Sequence, residues 1–184
     1  MTQISEASHA RTSNSTGVRI AAPALTHGAG MWRVARDSGE LDLNSSYMYV
    51  LFARDFAATC RVALDGDDVV GFVLGYRRPD DPGCLLVWQI AVDATHRGQG
   101  LAGRLLDDLV DTAALAVESV ETTITDDNAA SQRLFAAFAR RRGAGHDVAP
   151  LIEAAHFPDD HEPERLHRIA PLAAPRPGDR SPTA

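Results

Sequence analysis

The sequence contains no lysine, so all 18 strongly basic side chains are arginine. This absence excludes a lysine-dependent phosphate-binding loop and a lysine that forms a Schiff base with its substrate. Cysteine is scarce as well, because only Cys60 and Cys84 are present, without the spacing of a metal site. Two free thiols are typical of a reducing compartment, and we therefore expect a cytoplasmic protein.

Long apolar segments are missing too. The N-terminal residues are polar, without the apolar stretch of a signal peptide, and there is no run of about 18 apolar residues that could cross a membrane. The formal net charge of −7 argues against nucleic acid or an anionic membrane as partner and favours a cationic ligand. We expect one folded domain over residues 18–170, with a disordered leader at 1–17 and a disordered, proline-rich tail at 171–184.

The apolar pattern predicts a mixed α/β fold. An antiparallel hairpin turns at Asp65-Gly66-Asp67-Asp68, and a nearly continuous apolar run at 84–92 is typical of a central strand covered on both faces. The next helix and strand should form a parallel crossover with that run. The predicted strands are 18–22, 59–64, 69–76, 84–92 and 119–125, with short ones at 151–155 and 164–170. The predicted helices are 26–37, 45–53, 100–117 and one capped by Asn128, and a loop is predicted at 77–83.

A glycine-rich turn lies between the central strand and the clearest helix. Its residues are Gly98-Gln99-Gly100-Leu101-Ala102-Gly103. Such a turn leaves main-chain N–H groups free at the positive end of the helix dipole, which suits a phosphate group. A tight strand-to-helix turn without any ligand remains the alternative.

Two fingerprints overlap on these six residues. G-x-G-x-x-G is typical of dinucleotide-binding folds, and Glu118 or Glu121 lies at about the spacing of the ribose-binding acid. That interpretation predicts a nicotinamide-dependent oxidoreductase. The element order disfavours it, because an antiparallel hairpin precedes the turn and only one crossover helix follows.

The second pattern, Arg97-x-x-Gly100-x-Ala102, resembles the signature of the GCN5-related N-acetyltransferase (GNAT) family, and the resemblance covers about residues 19–169. It implies a twisted mixed sheet of about six or seven strands flanked by about four helices. It also implies acetyl-CoA as co-substrate, a bulged central strand that opens from its neighbour, and no metal. The residues that it assigns to the acetyl-CoA site are Ile90, Ala91 and Val92 along the pantetheine arm, Arg97, Gly98, Gly100, Leu101, Ala102 and Gly103 around the pyrophosphate, and Asn128.

Within this family, five ordered segments resemble the enzymes that acetylate L-2,4-diaminobutyrate for ectoine synthesis. They lie at residues 41–47, 56–59, 87–92, 121–125 and 156–158. The resemblance implies acetylation of the 4-amino group in the cytoplasm, a homodimer and a link to osmotic stress. It assigns the substrate to Asp42, Tyr47, Trp88 and His156. Acetylation of another small amine and a catalytically silent coenzyme A-binding module remain alternatives.

Several of these residues have a plain structural interpretation as well. Asp42 could serve helix capping instead of binding an ammonium group, and Trp88 could be a core residue. His156 could be an ordinary surface histidine. His156, His161 and His167 show no regular metal-ligand motif.

The expected chemistry is direct attack of a neutral amine on a thioester. Glu121 is the first candidate for the general base, before His156 and Asp42, although Glu121 could be a structural acid. The main-chain N–H near Val92 should stabilise the carbonyl oxygen. Phe135 stands where many family members have a tyrosine, so the proton donor to the thiolate stays open; a thiol of pKa near 8.5 leaves with limited help.

Overall fold

The computed structural model describes residues 17–39, 41–113 and 116–173. Over these residues the chain forms one mixed sheet of seven strands and four α-helices. The strands are β1 (Arg19–Ala21), β2 (Cys60–Asp65), β3 (Asp68–Arg78), β4 (Asp81–Val92), β5 (Ser119–Thr125), β6 (Gly145–Ile152) and β7 (Glu164–Ala170). The helices are α1 (Gly28–Ser38), α2 (Ser46–Asp55), α3 (Leu101–Asp111) and α4 (Ala129–Arg142).

The spatial order of the strands is β1-β2-β3-β4-β5-β7-β6. All neighbouring strands are antiparallel except β4 and β5, which α3 connects as a parallel pair. This topology confirms the mixed α/β fold with a single parallel crossover, and the dinucleotide-binding alternative required several parallel strands.

The parallel pair β4 and β5 separates soon after it begins. Only three residue pairs join the two strands, the last being Leu86 with Glu121, although β4 continues to Val92. On the other side of β4 the register with β3 shifts so that Trp88 is an extra, unpaired residue. Such a β-bulge bends a strand and aims a side chain away from the ladder. The expected bulge is therefore confirmed, and a cleft opens between β4 and β5.

The core lies on both faces of the sheet. On one face, α3 buries Leu101, Leu105 and Leu109 at a spacing of four residues, and α4 adds Phe138. On the other face, α1 and α2 contribute buried side chains that include Met31 and Tyr49. The helices therefore cover the sheet and leave its central cleft accessible at one end.

Several boundaries differ from the predictions. The helix predicted at 100–117 ends at Asp111, where the Thr112 hydroxyl donates to the carbonyl of Asp108 at 2.7 Å and competes with the helical bonds. The predicted loop at 77–83 is mostly strand, with a turn at Pro79 and Asp80, because polar residues are tolerated at the exposed end of a hairpin. β6 begins at Gly145 and not near residue 151; it is an exposed edge strand, so it lacks the alternating apolar pattern that reveals strands.

Other local predictions are confirmed. β5 has the predicted bounds, and α4 begins where Asn128 Oδ1 accepts the N–H of Ser131 at 3.0 Å. The first helix is not capped by Thr26, because His27 occupies the N-cap position after a short 3₁₀ turn.

The predictions for residues 1–16 and 174–184 lie outside the described part of the chain. Near its end, Leu172 is buried and its N–H donates to the carbonyl of Glu118 at 2.8 Å, so packing continues past residue 170. No helix among the described residues combines the length and the apolar character needed to cross a membrane.

Candidate active site

Two adjoining cavities occupy the cleft between β4 and β5. The smaller, of about 250 Å³, lies beside the glycine turn, and we call it the loop cavity. The larger, of about 520 Å³, lies between Trp88 and β5, and we call it the cleft cavity. Leu41, Ile90, Asn128 and Ser131 line both of them, so the two cavities share one wall.

The glycine turn has the geometry of an anion site. Gly98 and Gly100 have φ angles of 77° and 71°, a conformation that side chains rarely adopt. A Cβ atom at either position would meet nothing within 4 Å, so the turn faces open space. α3 starts immediately afterwards at Leu101, and no side chain caps its N-terminus. Its first N–H groups are therefore available to an anion such as a phosphate.

The remaining residues of the turn differ in what they contribute. Arg97 and Ala102 line the loop cavity, and Arg97 Nε donates to the carbonyl of Val92 at 3.2 Å. Leu101 is buried in the core, so only its main chain is available to a ligand. Gly103 lies against α4, where an added Cβ would be 3.2 Å from a guanidinium nitrogen of Arg141. Gly103 therefore permits close packing of α3 against α4.

Strand β4 lines both cavities. Ile90, Ala91 and Val92 form one wall of the loop cavity. Trp88, at the bulge, lines the cleft cavity with 43% of its surface exposed, and its ring centroid lies 5.3 Å from that of Phe52. Gln89, next to it, donates from Nε2 to the main-chain carbonyl of Asp42 at 2.9 Å.

Acidic and imidazole groups meet at the cleft cavity. Asp42 Oδ2 lies 3.1 Å from Nε2 of His161, and Glu164 Oε1 lies 3.6 Å from the same nitrogen. The ring of Phe157 stacks on that of His161 at 4.0 Å. The carbonyl of Glu162 and the carboxylate of Asp42 raise the pKa of His161 above its ordinary value, because both favour the protonated imidazole.

Sequence reasoning missed the site role of His161 and Glu164. In the sequence, His161 is one of three histidines without a metal motif, and Glu164 is only the start of a predicted strand. The signal in the sequence is His161-Glu162-Pro163-Glu164, a histidine between acids in a segment of weak periodicity. That signal becomes informative only when Asp42 is known to lie beside His161 in space.

Three of the candidate substrate-binding and catalytic residues do not line either cavity. Tyr47 is 66% exposed on the first turn of α2. His156 is exposed, and its Nδ1 accepts the N–H of Glu153 at 3.0 Å within a 3₁₀ turn. Glu121 is only 2% exposed, and its two oxygens accept from Arg78 at 2.9 Å and Arg168 at 2.8 Å.

One of the apolar positions that line the cleft cavity lies on α4. Phe135 lines the cavity and is almost fully buried, so this position of α4 carries no hydroxyl, although Ser131 of the same helix lines the cavity too. The position at which many GNAT enzymes carry a tyrosine thus has no hydroxyl here, while among the described residues Tyr76 lines the same cavity. Among the described residues, no group of three or more histidine, cysteine, aspartate or glutamate side chains could hold a metal ion.

The separated central strands, the glycine turn and the open end of α3 together define a coenzyme A-dependent acyltransferase. Residues 29–139 match the family model of the acetyltransferase (GNAT) family, and the chain belongs to that family. Among its relatives, the L-2,4-diaminobutyric acid acetyltransferase of Streptomyces coelicolor is 54% identical over 167 residues, which are 89% of this chain and 98% of that protein. The enzyme of the same name from Marinococcus halophilus is 42% identical over 152 residues, covering 82% and 88% of the two chains.

Solved structures agree with the fold. The diaminobutyrate acetyltransferase EctA from Paenibacillus lautus, in complex with L-2,4-diaminobutyric acid and coenzyme A, superimposes with a TM-score of 0.81. It is 39% identical, and the match covers 85% of this chain and 96% of that one. Ard1 from Thermoplasma volcanium matches with a TM-score of 0.65 at 18% identity over 83% and 97% of the chains, which supports the fold alone.

Proposed function

We propose that the protein transfers the acetyl group of acetyl-CoA to the 4-amino group of L-2,4-diaminobutyrate. The product is N4-acetyl-L-2,4-diaminobutyrate, a precursor of ectoine. The observation that carries this proposal is the continuous cleft along β4, which joins an anion-binding turn at one end to the Asp42–His161 pair at the other. The related enzymes named above act on, or bind, the same amine.

The residues of the loop cavity fit coenzyme A. The main chain at Gly98, Gly100, Leu101 and Ala102 would hold the pyrophosphate at the positive end of α3, with Arg97 adding a charged contact. Ile90, Ala91 and Val92 would line the pantetheine arm where β4 and β5 have separated. Asn128 lies at the shared wall, and Gly103 contributes through helix packing.

The cleft cavity fits a small cationic substrate. The carboxylates of Asp42 and Glu164 both face the nitrogen of His161, and a substrate ammonium group would make charge-assisted hydrogen bonds with the same oxygens. Trp88 forms an apolar wall beside this acidic end, which suits the methylene groups of the substrate. Tyr47 as a substrate contact stays a prediction.

His161 is our candidate for the group that takes the proton from the substrate amine. Its Nε2 lies at the acidic end of the cleft cavity, and a neutral imidazole accepts a proton at that atom. The amine lone pair forms the C–N bond, the C–S bond breaks, and the amine proton passes to His161.

The main-chain N–H of Val92 would donate to the carbonyl oxygen, as the sequence predicts. Because Phe135 offers no hydroxyl, solvent would protonate the departing thiolate.

Glu121 and His156 stay predictions as catalytic bases. The geometry favours a structural role for Glu121, because two arginines already occupy its oxygens and it does not line the cavities. His156 is turned towards the main chain of Glu153. Asp42, the third candidate base, is placed at the cleft cavity but serves the proposal as the ammonium contact.

We also infer a homodimer in the cytoplasm that acts when cells accumulate compatible solutes. Exposed apolar side chains near the cleft, including Leu43, Tyr47 and Phe56, support burial against a second chain. The two cysteines are free and buried, which is compatible with a reducing compartment. Sedimentation equilibrium of the full chain tests the dimer, and a single species of 19.7 kDa would reject it.

Thiol release from acetyl-CoA in the presence of different diamines tests the activity. We expect L-2,4-diaminobutyrate to exceed ornithine and lysine in kcat/KM by about 100-fold, the range that one or two methylene groups can produce in a fitted pocket. Equal rates across the diamines would favour an enzyme for another small amine. Coenzyme A binding without thiol release from any amine would favour a catalytically silent module.

A further inference from the structure

Gln89 connects the central strand to the segment that carries Asp42. It follows the bulged Trp88 on β4, is 5% exposed, and lines the cleft cavity. Its Nε2 donates to the main-chain carbonyl of Asp42 at 2.9 Å, and its Oε1 accepts from the hydroxyl of Tyr49 at 2.9 Å. The side chain therefore uses both ends of its amide: one partner, Asp42, lies in the connection before α2, and the other, Tyr49, lies on α2.

The orientation of this amide is determined by its partners. A main-chain carbonyl can only accept, so the NH₂ group of Gln89 must face Asp42 and its oxygen must face Tyr49. The Tyr49 hydroxyl must then donate. Burial raises the pKa of Tyr49 above its ordinary value, which keeps the phenol protonated for this purpose. A second, local bond to the carbonyl of Asp42 comes from Asn44 Nδ2 at 3.3 Å.

The Asp42 side chain itself is 83% exposed and extends to His161. An exposed carboxylate adopts one direction only if its main chain is held. The bond from Gln89 supplies that restraint from a residue 47 positions further along the chain. Since Ile90, Ala91 and Val92 follow Gln89 on the same strand, one strand places the thioester side and the amine side of the cleft.

We propose that Gln89, with its amide held by Tyr49, is a positioning residue that aims the Asp42 carboxylate at the substrate amine. This role rests on the proposed function. It acts through Asp42 and involves no contact of Gln89 with the reacting atoms. It differs from the roles of Asp42 and Trp88, which face the substrate directly.

Gln89→Met and Tyr49→Phe test the proposal, because both nearly keep the side-chain volume. The first removes both hydrogen bonds of the amide, and the second removes only the bond between Tyr49 and Gln89. We expect Gln89→Met to raise the KM for L-2,4-diaminobutyrate about tenfold, the effect of losing the bond to Asp42. Tyr49→Phe should raise it less, because that bond remains. In both variants kcat and the KM for acetyl-CoA should change less than about twofold. Gln132→Met is the matched control, since Gln132 also donates to main-chain carbonyls, those of Thr125 and Asp126. It should leave all three constants unchanged.

A double-mutant cycle separates positioning from general destabilisation. If Gln89 acts through the Asp42 carboxylate, Gln89→Met should have no further effect on the amine KM once Asp42→Asn is present. Additive effects in the double variant would overturn the proposal. So would an equal loss of kcat or of acetyl-CoA affinity in Gln89→Met.

The titration of His161, followed by NMR in the protein without substrates, provides a second measurement. Asp42 raises the pKa of His161, so Gln89→Met should move that pKa towards the value in Asp42→Asn. An unchanged pKa in Gln89→Met would contradict the role of Gln89. Failure of the unaltered enzyme to acetylate L-2,4-diaminobutyrate would reject the proposed function instead, and the titration would still decide the role of Gln89.

Discussion

The carboxylate of Asp42 lies 3.1 Å from Nε2 of His161, and 119 positions of sequence separate the two residues. Asp42 comes from the connection between α1 and α2, whereas His161 comes from the connection between β6 and β7. They meet because β5 lies beside β4 and β7 lies beside β5, and both connections border the cleft between β4 and β5. The expected experiments concern this pair, the glycine turn and the buried acid Glu121.

Asp42→Asn should weaken use of the amine without affecting acetyl-CoA. The amide keeps the shape of the side chain but loses the charge that attracts an ammonium group, and we expect the KM for L-2,4-diaminobutyrate to rise about 30-fold. The dissociation constant of coenzyme A, measured by calorimetry, should stay within about twofold. Asp55→Asn, at an exposed acid that pairs with Arg54, is the control. If coenzyme A binding falls as far as amine use, Asp42 is structural.

His161→Gln and His156→Gln form a matched pair. We expect kcat to fall about 100-fold in the first variant, since the imidazole at the cleft cavity is removed, and to stay near the original value in the second. Steady-state thiol release measures both. The reverse order of effects would restore His156 as the histidine of the active site and remove His161 from it.

The pH dependence of kcat/KM for the amine gives an independent check on His161. The carbonyl of Glu162 and the carboxylate of Asp42 raise the pKa of His161 from its ordinary 6.5, so the imidazole loses its proton only at higher pH. Activity should therefore rise with pH through a limb that lies above 6.5. If this limb reports the titration of His161, it should move to lower pH in Asp42→Asn. A limb that reports the titration of the substrate amine would keep its position in that variant.

The raised pKa of His161 also makes the stability of the folded protein depend on pH. Because the pKa of His161 is raised in the folded protein, the native state binds this proton more tightly than the unfolded chain does. The stabilisation from the Asp42–His161 pair is complete below the unfolded pKa of about 6.5 and is lost as pH rises through the folded value. The free energies of unfolding of the original protein and of Asp42→Asn, measured in urea across this pH range, should converge at high pH.

Gly100→Ala should impair both folding and coenzyme A binding. At a φ of 71° an alanine costs about 1 kcal/mol of stability, and relaxation of the strain would move the N–H groups that we propose bind the pyrophosphate. Gly143→Ala is the matched control, because Gly143 has a φ of 63° and equally open surroundings but ends α4. Both variants should lose similar stability by urea unfolding, and only Gly100→Ala should raise the KM for acetyl-CoA. A similar rise in Gly143→Ala would mean that strain alone weakens binding.

Glu121→Gln distinguishes a structural acid from a base. Removing the charge leaves Arg78 and Arg168 without their carboxylate, and we expect a loss of about 2–4 kcal/mol in the free energy of unfolding. If Glu121 is structural, kcat of the folded variant should stay within about threefold, with an unchanged pH profile. A loss of kcat beyond about 100-fold, with normal folding, would identify Glu121 as the base. Glu118→Gln, at a nearby exposed acid, is the control.

Much of the fold was predictable because its signals are local. The three leucines of α3 and the Asn128 cap depend on spacings within one element, and the structure confirms them. The turn at residues 98–100 was predictable for the same reason, since positive φ angles favour glycine. β6 was only partly predictable, because an exposed edge strand needs no alternating apolar face.

The candidate site was harder to predict, because its residues come from distant segments. The sequence alone determined the glycine turn, the apolar central strand and the absence of a hydroxyl at Phe135. Only the tertiary structure decided that His161, and not His156, faces Asp42, and that Glu121 is held by two arginines. The reason is physical. Main-chain conformation follows from neighbouring residues, whereas contacts between connections depend on strand order, on register and on where β4 and β5 separate.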